Sequence, residues 1–411
     1  MKPMGPIPAW FAGGKTLAVG GRGVAALIAE AGDTPLFAYD MGAVAARIAA
    51  FRAAMPPGVG LHYAIKANPY APLAAAITPL VDGIDVASGG EMGRAISAGM
   101  AAAHVSFAGP GKRDREMEEA VLLGVTLNLE SEGEAERALA IARRIGIRPR
   151  LAVRVNPDFE IRGSGMRMAG GAKPFGVDQA RAADRARRLI AAGADWRGFH
   201  IFAGSQALDA AAIAETQAAT VRLAGELAQA AGAPPPPLVN LGGGFGIPYF
   251  PGDSALDVAA VGAALAATLA ARAPVLRETR FAIELGRWLV GEAGVYLTRV
   301  VDRKVSHGEI FLVTDGGMHH QLAASGNFGT VVKRNYPVAV ADRLNDPAEE
   351  TATVVGCLCT PLDRLADRVA LPRAEVGDVI AVFMAGAYGA TASPQAFLGH
   401  PPAREMLVGQ I

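Results

Sequence analysis

Lys66 is the residue whose position in this sequence most directly suggests chemistry. It closes the segment Leu61-His62-Tyr63-Ala64-Ile65-Lys66, whose alternation is typical of a β-strand, and Ala67-Asn68-Pro69 then ends the strand. A lysine withdrawn from water has a lowered pKa and becomes a nucleophile that forms a Schiff base with an aldehyde. By residue type alone a lysine is more often a solvated surface cation, so the strand context is what favours a reactive amine.

Two glycine-containing loops have the composition of a phosphate site. Leu241-Gly242-Gly243-Gly244-Phe245-Gly246 follows an apolar segment and offers backbone N–H groups, which bind a phosphate without a large charge. Gly204-Ser205-Gln206 adds a hydroxyl and further N–H groups. Each loop alone is equally well explained as a tight turn, but the two together predict an anion site.

Glu284 and Arg287 are a carboxylate and a cation three residues apart, in Ile283-Glu284-Leu285-Gly286-Arg287. One interpretation is a buried ion pair that closes a sheet. The chemical interpretation is a carboxylate against a pyridine nitrogen. Such a carboxylate keeps the ring protonated, so that the ring accepts the electrons left when a bond to a substrate Cα breaks.

The elements that must position these residues alternate along the chain. Short apolar segments are separated by helix-length segments rich in Ala, Arg, Glu and Leu, which predicts a (β/α)8 barrel with its active site at the carboxyl ends of the strands. The predicted strands are 61–65, 84–87, 105–108, 126–129, 151–155, 199–202, 238–241 and 281–285. Polar or flexible residues lie at their ends: Lys66, Asp85, Gly109, Glu130, Asn156, Gly204, Gly242 and Glu284.

The pattern changes after residue 292, where short β-like segments follow one another without long helices. This predicts a β-rich second domain. The segment before residue 35 is too short to fold alone and is expected to join it. We therefore predict an α/β plus β protein, with a barrel at 35–292 and a β-rich domain formed by 1–34 and 293–411.

Composition excludes several classes of function. The 411 residues include 39 Lys and Arg against 39 Asp and Glu, so no overall charge recruits nucleic acid or a membrane surface. Cys357 and Cys359 are too close to form a disulfide with each other and too few for a structural zinc site, so no metal is predicted. Met1–Gly21 lacks the apolar core of a secretory signal, and Val258–Ala271 is too short to span a bilayer and suits a buried helix. These features predict a cytoplasmic protein.

Seven motifs, in order, resemble those of the fold-type III pyridoxal-phosphate decarboxylases, the ornithine and diaminopimelate decarboxylase family. The resemblance runs from about residue 35 to near residue 400. The motifs are Tyr63-Ala64-Ile65-Lys66-Ala67-Asn68, Asp85-Val86-Ala87-Ser88-Gly89-Gly90-Glu91, Gly204-Ser205-Gln206, Gly242-Gly243-Gly244-Phe245-Gly246, Glu284-Leu285-Gly286-Arg287, Cys359-Thr360-Pro361-Leu362-Asp363 and Gly386-Ala387-Tyr388-Gly389.

The resemblance implies an alanine-racemase-like barrel followed by a β domain, in a head-to-tail homodimer with active sites at its interface. It implies pyridoxal 5'-phosphate as cofactor, with Lys66 as the Schiff-base lysine and Glu284 at the pyridine nitrogen. Cys359, reaching across from the partner subunit, is expected to protonate the carbanion after carbon dioxide leaves; without the family, it is more often a small core residue. The other implied cofactor contacts are Asp85, His200, Phe202, Ser205, Gly243, Gly244, Arg287 and Tyr388.

The sequence departs from the family pattern at three positions, and one of them, Leu285 in place of the usual proline, is expected to matter little. Thr360 follows Cys359, where the polyamine enzymes and diaminopimelate decarboxylase usually have an acid that receives the distal ammonium of the substrate. A neutral hydroxyl leaves a buried ammonium poorly compensated, so we expect a distal group that is not a free amine. Phe202 stands where the family often stacks a histidine, and His200 lies two residues back on the same strand face. The predicted substrate contacts are Arg287, Thr360, Asp363 and Tyr388.

Three segments look most like a subgroup near diaminopimelate decarboxylase: His200 to Gln206, Cys359 to Asp363 and Ala392 to His400. That subgroup includes enzymes associated with exosortase gene clusters and a relative that decarboxylates glutamate tethered to an acyl carrier protein. The substrate is therefore expected to be an amino acid or an amino-acyl conjugate, free or bound to a carrier protein. The long loop Asp158 to Gly176 is predicted to cover it.

Three other functions stay open at this point. The first is a diaminopimelate decarboxylase that acts on free substrate. The second is an amino acid racemase, against which Glu284 and Cys359 count because racemases of this fold generally place an arginine at the pyridine nitrogen. The third is a non-catalytic carrier of the cofactor, which would not need the segment after residue 292.

Overall fold

The computed structural model describes residues 1–409 except 164, 168, 233 and 327–333. The chain forms two compact units. One consists of Ile48–Gly246 and Ala255–Gly286, and the other of Met1–Arg47, Ile247–Ser254 and Arg287–Ile411. The first contains a parallel barrel and the second a mixed β-sheet.

The barrel has eight parallel strands in sequence order, and the eighth pairs with the first. The strands are Val59–Ala64, Gly83–Val86, Val105–Phe107, Thr126–Leu129, Arg150–Asn156, Asp195–Ile201, Leu238–Asn240 and Arg280–Leu285. A short strand, Val177–Asp178, pairs with the end of the fifth. The predicted (β/α)8 barrel is confirmed, because each apolar segment found in the sequence forms a strand whose side chains alternate between the barrel interior and the surrounding helices.

Among the described residues, seven helices lie between these strands in the chain and cover the barrel. They are Ala71–Ile77, Gly89–Ser97, Asp114–Leu123, Glu132–Ile145, Gln179–Ala191, Ala210–Ala231 and Val258–Ala270. The hydroxyl of Ser131 accepts the N–H of Glu134 at the start of one, and Gly146 ends that helix with a φ of 72°. The segment Val258–Ala271 was expected to suit a buried helix; the helix Val258–Ala270 buries only Val261, Gly262 and Leu265, because it belongs to the outer ring of the barrel.

The second unit is built on strands from both ends of the chain. They are Leu36–Asp40, Gly294–Ser306, Glu309–Thr314, Val338–Val340, Glu350–Val355, Arg364–Leu371, Val379–Val382 and Arg404–Val408. Two short strands, Ala18–Val19 and Arg22–Gly23, form a hairpin before the helix Val24–Ala31. The helix Met41–Ala54 follows Leu36–Asp40, and the four-residue helix Arg287–Val290 precedes Gly294–Ser306.

Leu36–Asp40 departs from the predicted division of the chain. The boundary at residue 35 placed this strand in the barrel, but it pairs antiparallel with Gly294–Ser306 and parallel with Arg404–Val408. Leu36 and Ala38 join a hydrophobic cluster with Leu27 of the N-terminal segment, so burial of their apolar face determines which sheet they enter. The rest of the predicted division stays a prediction. In the part of the chain that the structure describes, no helix has the length and apolarity needed to cross a membrane.

Candidate active site

A cavity of about 440 Å³ opens at the carboxyl ends of the barrel strands. Five predicted cofactor contacts line it: Lys66, Asp85, His200, Phe202 and Glu284. The ends of parallel strands converge at this face, which is why residues so distant in sequence meet here.

Lys66 lies two residues beyond the end of the strand that was predicted to carry it. Val59–Ala64 is the strand, and Ile65–Ala67 forms a single 3₁₀ turn that Pro69 prevents from continuing as a helix. Gly286 packs beneath this turn, where a Cβ would lie 2.7 Å from that of Ala67. The barrel therefore fixes the backbone under Lys66 by close packing from its eighth strand.

The amine of Lys66 is available for reaction, although burial is not the reason. Its side chain is exposed, so the expected withdrawal from water is not seen. Among the described residues its Nζ atom makes no hydrogen bond or ion pair, and it lies 5.6 Å from the ring centroid of Phe202. Lys66 is thus a cation without an anionic partner, facing an aromatic ring across the cavity.

Glu284 is held as an ionised carboxylate. His200 Nε2 donates to its Oε2 atom at 2.8 Å, and Asn240 Nδ2 donates to the same oxygen at 3.1 Å. Burial alone would raise the pKa of Glu284, but the charge and hydrogen bond of His200, with the charge of Lys66, hold that pKa well below its ordinary value. The second oxygen, Oε1, has no hydrogen-bond partner within the described chain, so it can accept one from a ligand.

Asp85 has a similar arrangement with one oxygen bonded and one unused. Its Oδ2 atom accepts from His62 Nδ1 at 3.1 Å, and its buried Oδ1 has no partner among the described atoms. Burial lowers the pKa of His62, but the charge and hydrogen bond of Asp85 outweigh that and raise it. A buried acceptor left unbonded is destabilising, which is consistent with a donor arriving on a ligand.

Arg154 lines the same cavity and was not among the predicted site residues. It donates to Glu130 Oε1 at 2.7 Å, and its guanidinium lies 5.1 Å from the ring centroid of Phe175. The N–H of Gly176 also binds Glu130, at 2.8 Å, so the two charges anchor the end of the loop 158–176. Residues 164 and 168 of that loop lie outside the described residues, and its covering role stays a prediction. The sequence could have indicated Arg154 as a site residue, because it is the one charged residue in the apolar segment 151–155.

The two predicted phosphate loops lie side by side in the barrel. Gly244 accepts the N–H of Ala207 at 2.8 Å, which joins the loop after the seventh strand to the loop after the sixth. Gly243 packs so closely on the carbonyl of Glu284 that a Cβ would overlap it, and Gly244 has a φ of +85°. No hydrogen bond in the described chain uses the N–H groups of Gly243 and Gly244. Ser205 is half-buried and belongs to the two-residue strand Gly204–Ser205.

In the second unit, Arg287 and Tyr388 are brought together with a tyrosine that the sequence analysis missed. Arg287 Nη1 donates to the hydroxyl of Tyr249 at 2.7 Å, and its guanidinium lies 4.7 Å from the ring centroid of Tyr388. Burial lowers the pKa of Arg287, but the Tyr249 and Tyr388 hydroxyls outweigh that and raise it. The guanidinium is therefore a permanent cation held between aromatic rings.

The segment that contains Cys359 is shaped by Asp363. The Asp363 carboxylate accepts the N–H of Met318 at 2.6 Å on one oxygen and that of Leu358 at 2.9 Å on the other. Asp363 is 2% exposed and positions this loop, and its predicted contact with the substrate stays a prediction. Cys359 is exposed, Thr360 is half-buried, and both cysteines are free thiols that follow the strand ending at Val355.

Three histidines lie close to this loop and were not predicted as site residues. The rings of His319 and His320 are 3.7 Å apart, those of His319 and His400 are 5.3 Å apart, and His400 Nδ1 lies 3.8 Å from the sulfur of Cys357. Burial and the neighbouring histidines lower the pKa of His319 to about 4, so it is neutral at physiological pH. The adjacent residues His319 and His320 were the feature of the sequence that could have indicated this cluster.

These features fit one class of protein, a barrel that binds pyridoxal phosphate through a lysine. Free glycine N–H groups suit the phosphate, the unused Glu284 oxygen suits a protonated pyridine nitrogen, and the unpartnered Lys66 amine suits the aldehyde. Residues 41–291 match the family described as "Pyridoxal-dependent decarboxylase, pyridoxal binding domain". The chain belongs to this pyridoxal-dependent decarboxylase family.

Comparisons with individual proteins support the assignment to this family. The chain is 35% identical over 383 residues to an L-glutamyl-[BtrI acyl-carrier protein] decarboxylase of Niallia circulans, covering 91% of this chain and 89% of the relative. It is 32% identical over 397 residues to a diaminopimelate decarboxylase of Archaeoglobus fulgidus, covering 95% and 91%. The crystal structure of diaminopimelate decarboxylase from Helicobacter pylori complexed with L-lysine superposes with a TM-score of 0.80 at 26% identity, covering 92% of each chain.

The predicted family, fold and cofactor are therefore confirmed. The protein is a carboxy-lyase that depends on pyridoxal 5'-phosphate, with a (β/α)8 barrel and a C-terminal β domain. The racemase and the non-catalytic carrier are disfavoured accordingly.

Proposed function

We propose that this enzyme removes the α-carboxylate of an amino-acyl group whose distal end has no free ammonium, such as a glutamyl group tethered to a carrier protein. The observation that supports this most directly is the structure of the Cys359 loop. The residue that follows Cys359 in this loop is the neutral Thr360. The one acid of the loop, Asp363, is buried, and both of its carboxylate oxygens accept hydrogen bonds from backbone N–H groups. An ammonium beside this loop would find no free carboxylate on it, and a buried cation without a counter-ion is strongly destabilised.

The histidine cluster supports the same substrate class. His319 is fully buried, and neither ring nitrogen has a hydrogen-bond partner among the described atoms. A neutral imidazole can donate to a carbonyl or accept from an amide, but it adds no negative charge for an ammonium. An amide or thioester at the distal end of the substrate is therefore better matched to this region than an amine. The Niallia circulans relative, whose name gives a glutamyl carrier-protein substrate, supports that choice.

The barrel residues have distinct parts in this reaction. When bound, pyridoxal phosphate supplies a ring that accepts the electron pair released as the Cα–carboxylate bond breaks. Lys66 Nζ would hold the cofactor covalently, and Glu284 Oε1 would accept a hydrogen bond from the pyridine nitrogen. His200 and Asn240 keep Glu284 ionised and oriented, so they act as positioning residues. Phe202 is proposed to cover one ring face, and Asp85 to accept a hydrogen bond through its unused oxygen.

The remaining proposed roles concern phosphate binding and the source of the proton. We propose that Ser205, Gly243 and Gly244 bind the phosphate through the hydroxyl and the unused N–H groups, with Tyr388 and Arg287 as further ligands of the phosphate or of the substrate carboxylate. We propose a homodimer in which the partner subunit's Cys359 gives its thiol proton to Cα after carbon dioxide has left. A cytoplasmic location is proposed from the two free thiols.

A substrate panel tests the proposal. Enzyme loaded with pyridoxal phosphate is assayed for carbon dioxide release from diaminopimelate, ornithine, lysine, arginine, glutamate and a glutamyl carrier protein. We expect release from the glutamyl carrier protein to exceed release from any substrate with a distal ammonium. Activity confined to free diaminopimelate would contradict the proposal and favour the function named for the Archaeoglobus relative.

A matched variant separates the loop argument from general damage to the site. Thr360→Glu adds the missing carboxylate, and Thr360→Val removes the hydroxyl without adding charge. We expect the glutamate variant to lower kcat/KM for the carrier substrate and raise it for a diamino acid, each by about tenfold, the size of one charge-assisted contact. If both variants change the two substrates in the same direction, Thr360 does not determine the choice between them.

A further inference from the structure

The barrel contains a second cavity, at the end opposite to the active site. It has a volume of about 880 Å³ and opens between the amino ends of the strands; we call it the amino-end cavity. Barrels of this kind usually fill this level with bulky branched side chains. Here small residues occupy several inward positions, namely Gly60, Ser106, Ala152 and Ala282, and the space between them stays open.

Three arginines line the amino-end cavity. Arg150 and Arg280 are the first residues of the fifth and eighth strands, and Arg197 is the third residue of the sixth. These strands and the seventh are consecutive neighbours in the barrel, so their guanidinium groups come from one side of the opening. Burial lowers the pKa of Arg150, and the like charges of Arg197 and Arg280 lower it further, against the opposing charge of Asp195.

The acidic residues nearby do not balance these charges. Asp195 lies 3.6 Å from Arg150 and 3.7 Å from Arg197, so it is shared between two cations. Arg280 has no ion pair or hydrogen bond from its side chain within the described residues. Three arginines against one aspartate leave an excess of two positive charges.

The remaining charged and titratable groups of the amino-end cavity do not remove that excess. The carboxylate of Asp82 pairs with Arg52 at 2.7 Å and accepts the N–H of Leu61 at 2.7 Å. His104 Nδ1 is bonded to the carbonyl of Asp82, at 3.0 Å, and is exposed. His62, at the inner end, is paired with Asp85. An anionic ligand would relieve the repulsion at the opening.

The inner end of the cavity is polar, with Asn128, Asn240 and His62 in its wall. We propose that the amino-end cavity binds an organic phosphate, with the phosphate on Arg197, Arg280 and Arg150 and the polar body directed toward Asn128. Arginine suits this task because its planar guanidinium donates two parallel hydrogen bonds to phosphate oxygens. The cavity is larger than an inorganic ion requires, which is why the ligand is assigned an organic body.

The amino-end cavity also lies where a bound ligand would influence the active site. Asn240 donates to Glu284, and His62 donates to Asp85, so both residues contact the amino-end cavity on one side and an active-site carboxylate on the other. A ligand that reaches the inner end would touch groups that hold the cofactor-facing acids. The inference does not depend on which substrate the enzyme decarboxylates.

Calorimetric titration of the cofactor-loaded enzyme with inorganic pyrophosphate tests the inference, because bound cofactor already fills the phosphate loops at the other end. We expect saturable binding at one site per chain, weakened at least about tenfold in Arg280→Gln and in Arg197→Gln, the loss of one charge-assisted contact. Arg280 is the variant of choice because its side chain bonds to nothing in the described chain, so its removal leaves the fold intact. Arg143→Gln, which removes an exposed charge from the helix Glu132–Ile145, is the matched control and should bind like the wild type.

Two results would overturn the inference. One is undetectable binding at 10 mM pyrophosphate, because even a weak site with a Kd of about 1 mM would be mostly filled at that concentration. The other is equal binding by wild type, Arg280→Gln and Arg143→Gln, which would mean that the anion binds elsewhere. A crystal grown with selenate provides an independent check, since its anomalous signal should lie among the three arginines.

Discussion

The two ends of the barrel differ in how their charges are balanced. At the carboxyl end most charged side chains have a partner of opposite sign: Glu284 has His200, Arg154 has Glu130, and Lys112 has Glu134. Lys66 is the exception there among the residues that the structure describes. At the amino end the charges are mostly of one sign, and Arg280 has no partner among the described residues. In both places an unpaired cation lines a cavity, and this combination identifies where a ligand is expected.

The largest effect is expected from removing the unpaired cation of the carboxyl end. Lys66→Ala should lower kcat by at least about a thousandfold, because the covalent attachment of the cofactor is lost. The visible absorbance of the attached cofactor should vanish, while the melting temperature of the cofactor-free protein should hardly change, since Lys66 is exposed and unpaired. Steady-state carbon dioxide release and absorbance spectra measure both. Lys15→Ala, at another exposed lysine, is the control, and an unchanged spectrum in Lys66→Ala would refute the cofactor assignment.

Removing a paired charge from the same end should have a smaller effect on rate and a larger one on stability. Glu284→Gln is expected to lower kcat about a hundredfold, because a neutral amide does not stabilise a protonated pyridine nitrogen. Glu284→Asp keeps the charge and should retain part of the activity. If Glu284→Gln leaves kcat unchanged, Glu284 has only a structural role.

The stability of the same variant has a defined dependence on pH. Because the folded-state pKa of Glu284 is below its ordinary value of 4.5, its ionisation stabilises the fold above pH 4.5, and that stabilisation is lost as the pH falls through the folded-state pKa. The free energy of unfolding of Glu284→Gln should therefore fall less steeply than that of the wild type below pH 4.5. Urea unfolding at several pH values measures the difference.

The comparison also shows which features the sequence could reveal. Lys66, Glu284 and the glycine loops were found because each follows an apolar segment, and a parallel barrel brings the ends of such segments together. Asn240 and His62 were missed as site residues, because a polar side chain inside a strand acquires a partner only when the barrel closes. The assignment of Leu36–Asp40 to the barrel was wrong for a related reason: its neighbours, Gly294–Ser306 and Arg404–Val408, are far away in the chain.

Asp363 and the amino-end arginines show a second kind of limit. The sequence gives the position of an acid but not whether its oxygens are already used, and Asp363 turned out to hold its own loop together. Arg150 and Arg280 are 130 residues apart in the chain, with Arg197 between them. In the sequence each of the three looks like an ordinary surface cation. Their significance lies in charge balance, which depends on every neighbour in space.

His62 offers a test at the boundary between the two ends, with an effect on stability and little on chemistry. Its folded-state pKa is raised above the ordinary value of 6.5, so its protonation stabilises the fold fully below pH 6.5, and the stabilisation is lost as the pH rises through the folded-state pKa. The difference in unfolding free energy between wild type and His62→Gln should be larger at pH 6 than at pH 9. His307→Asn, at an exposed turn, is the control. A difference that grows with pH would mean that Asp85 does not hold His62 in its charged form.

The smallest effect should have the opposite sign and comes from the amino end. In protein free of added anions, Arg280→Gln removes one of three mutually repelling cations without breaking a hydrogen bond or an ion pair of the described chain, so the free energy of unfolding should rise by about 0.5 kcal/mol or less, the scale of exposed charge interactions. Arg150→Gln should lower it, since Arg150 also donates to the carbonyl of Gly124 at 2.8 Å. Urea unfolding at low ionic strength measures both, and 1 M salt should abolish the gain in Arg280→Gln because it screens the repulsion. If Arg280→Gln is destabilising at low salt, the amino end is balanced after all, and its charges give no reason to expect an anion there.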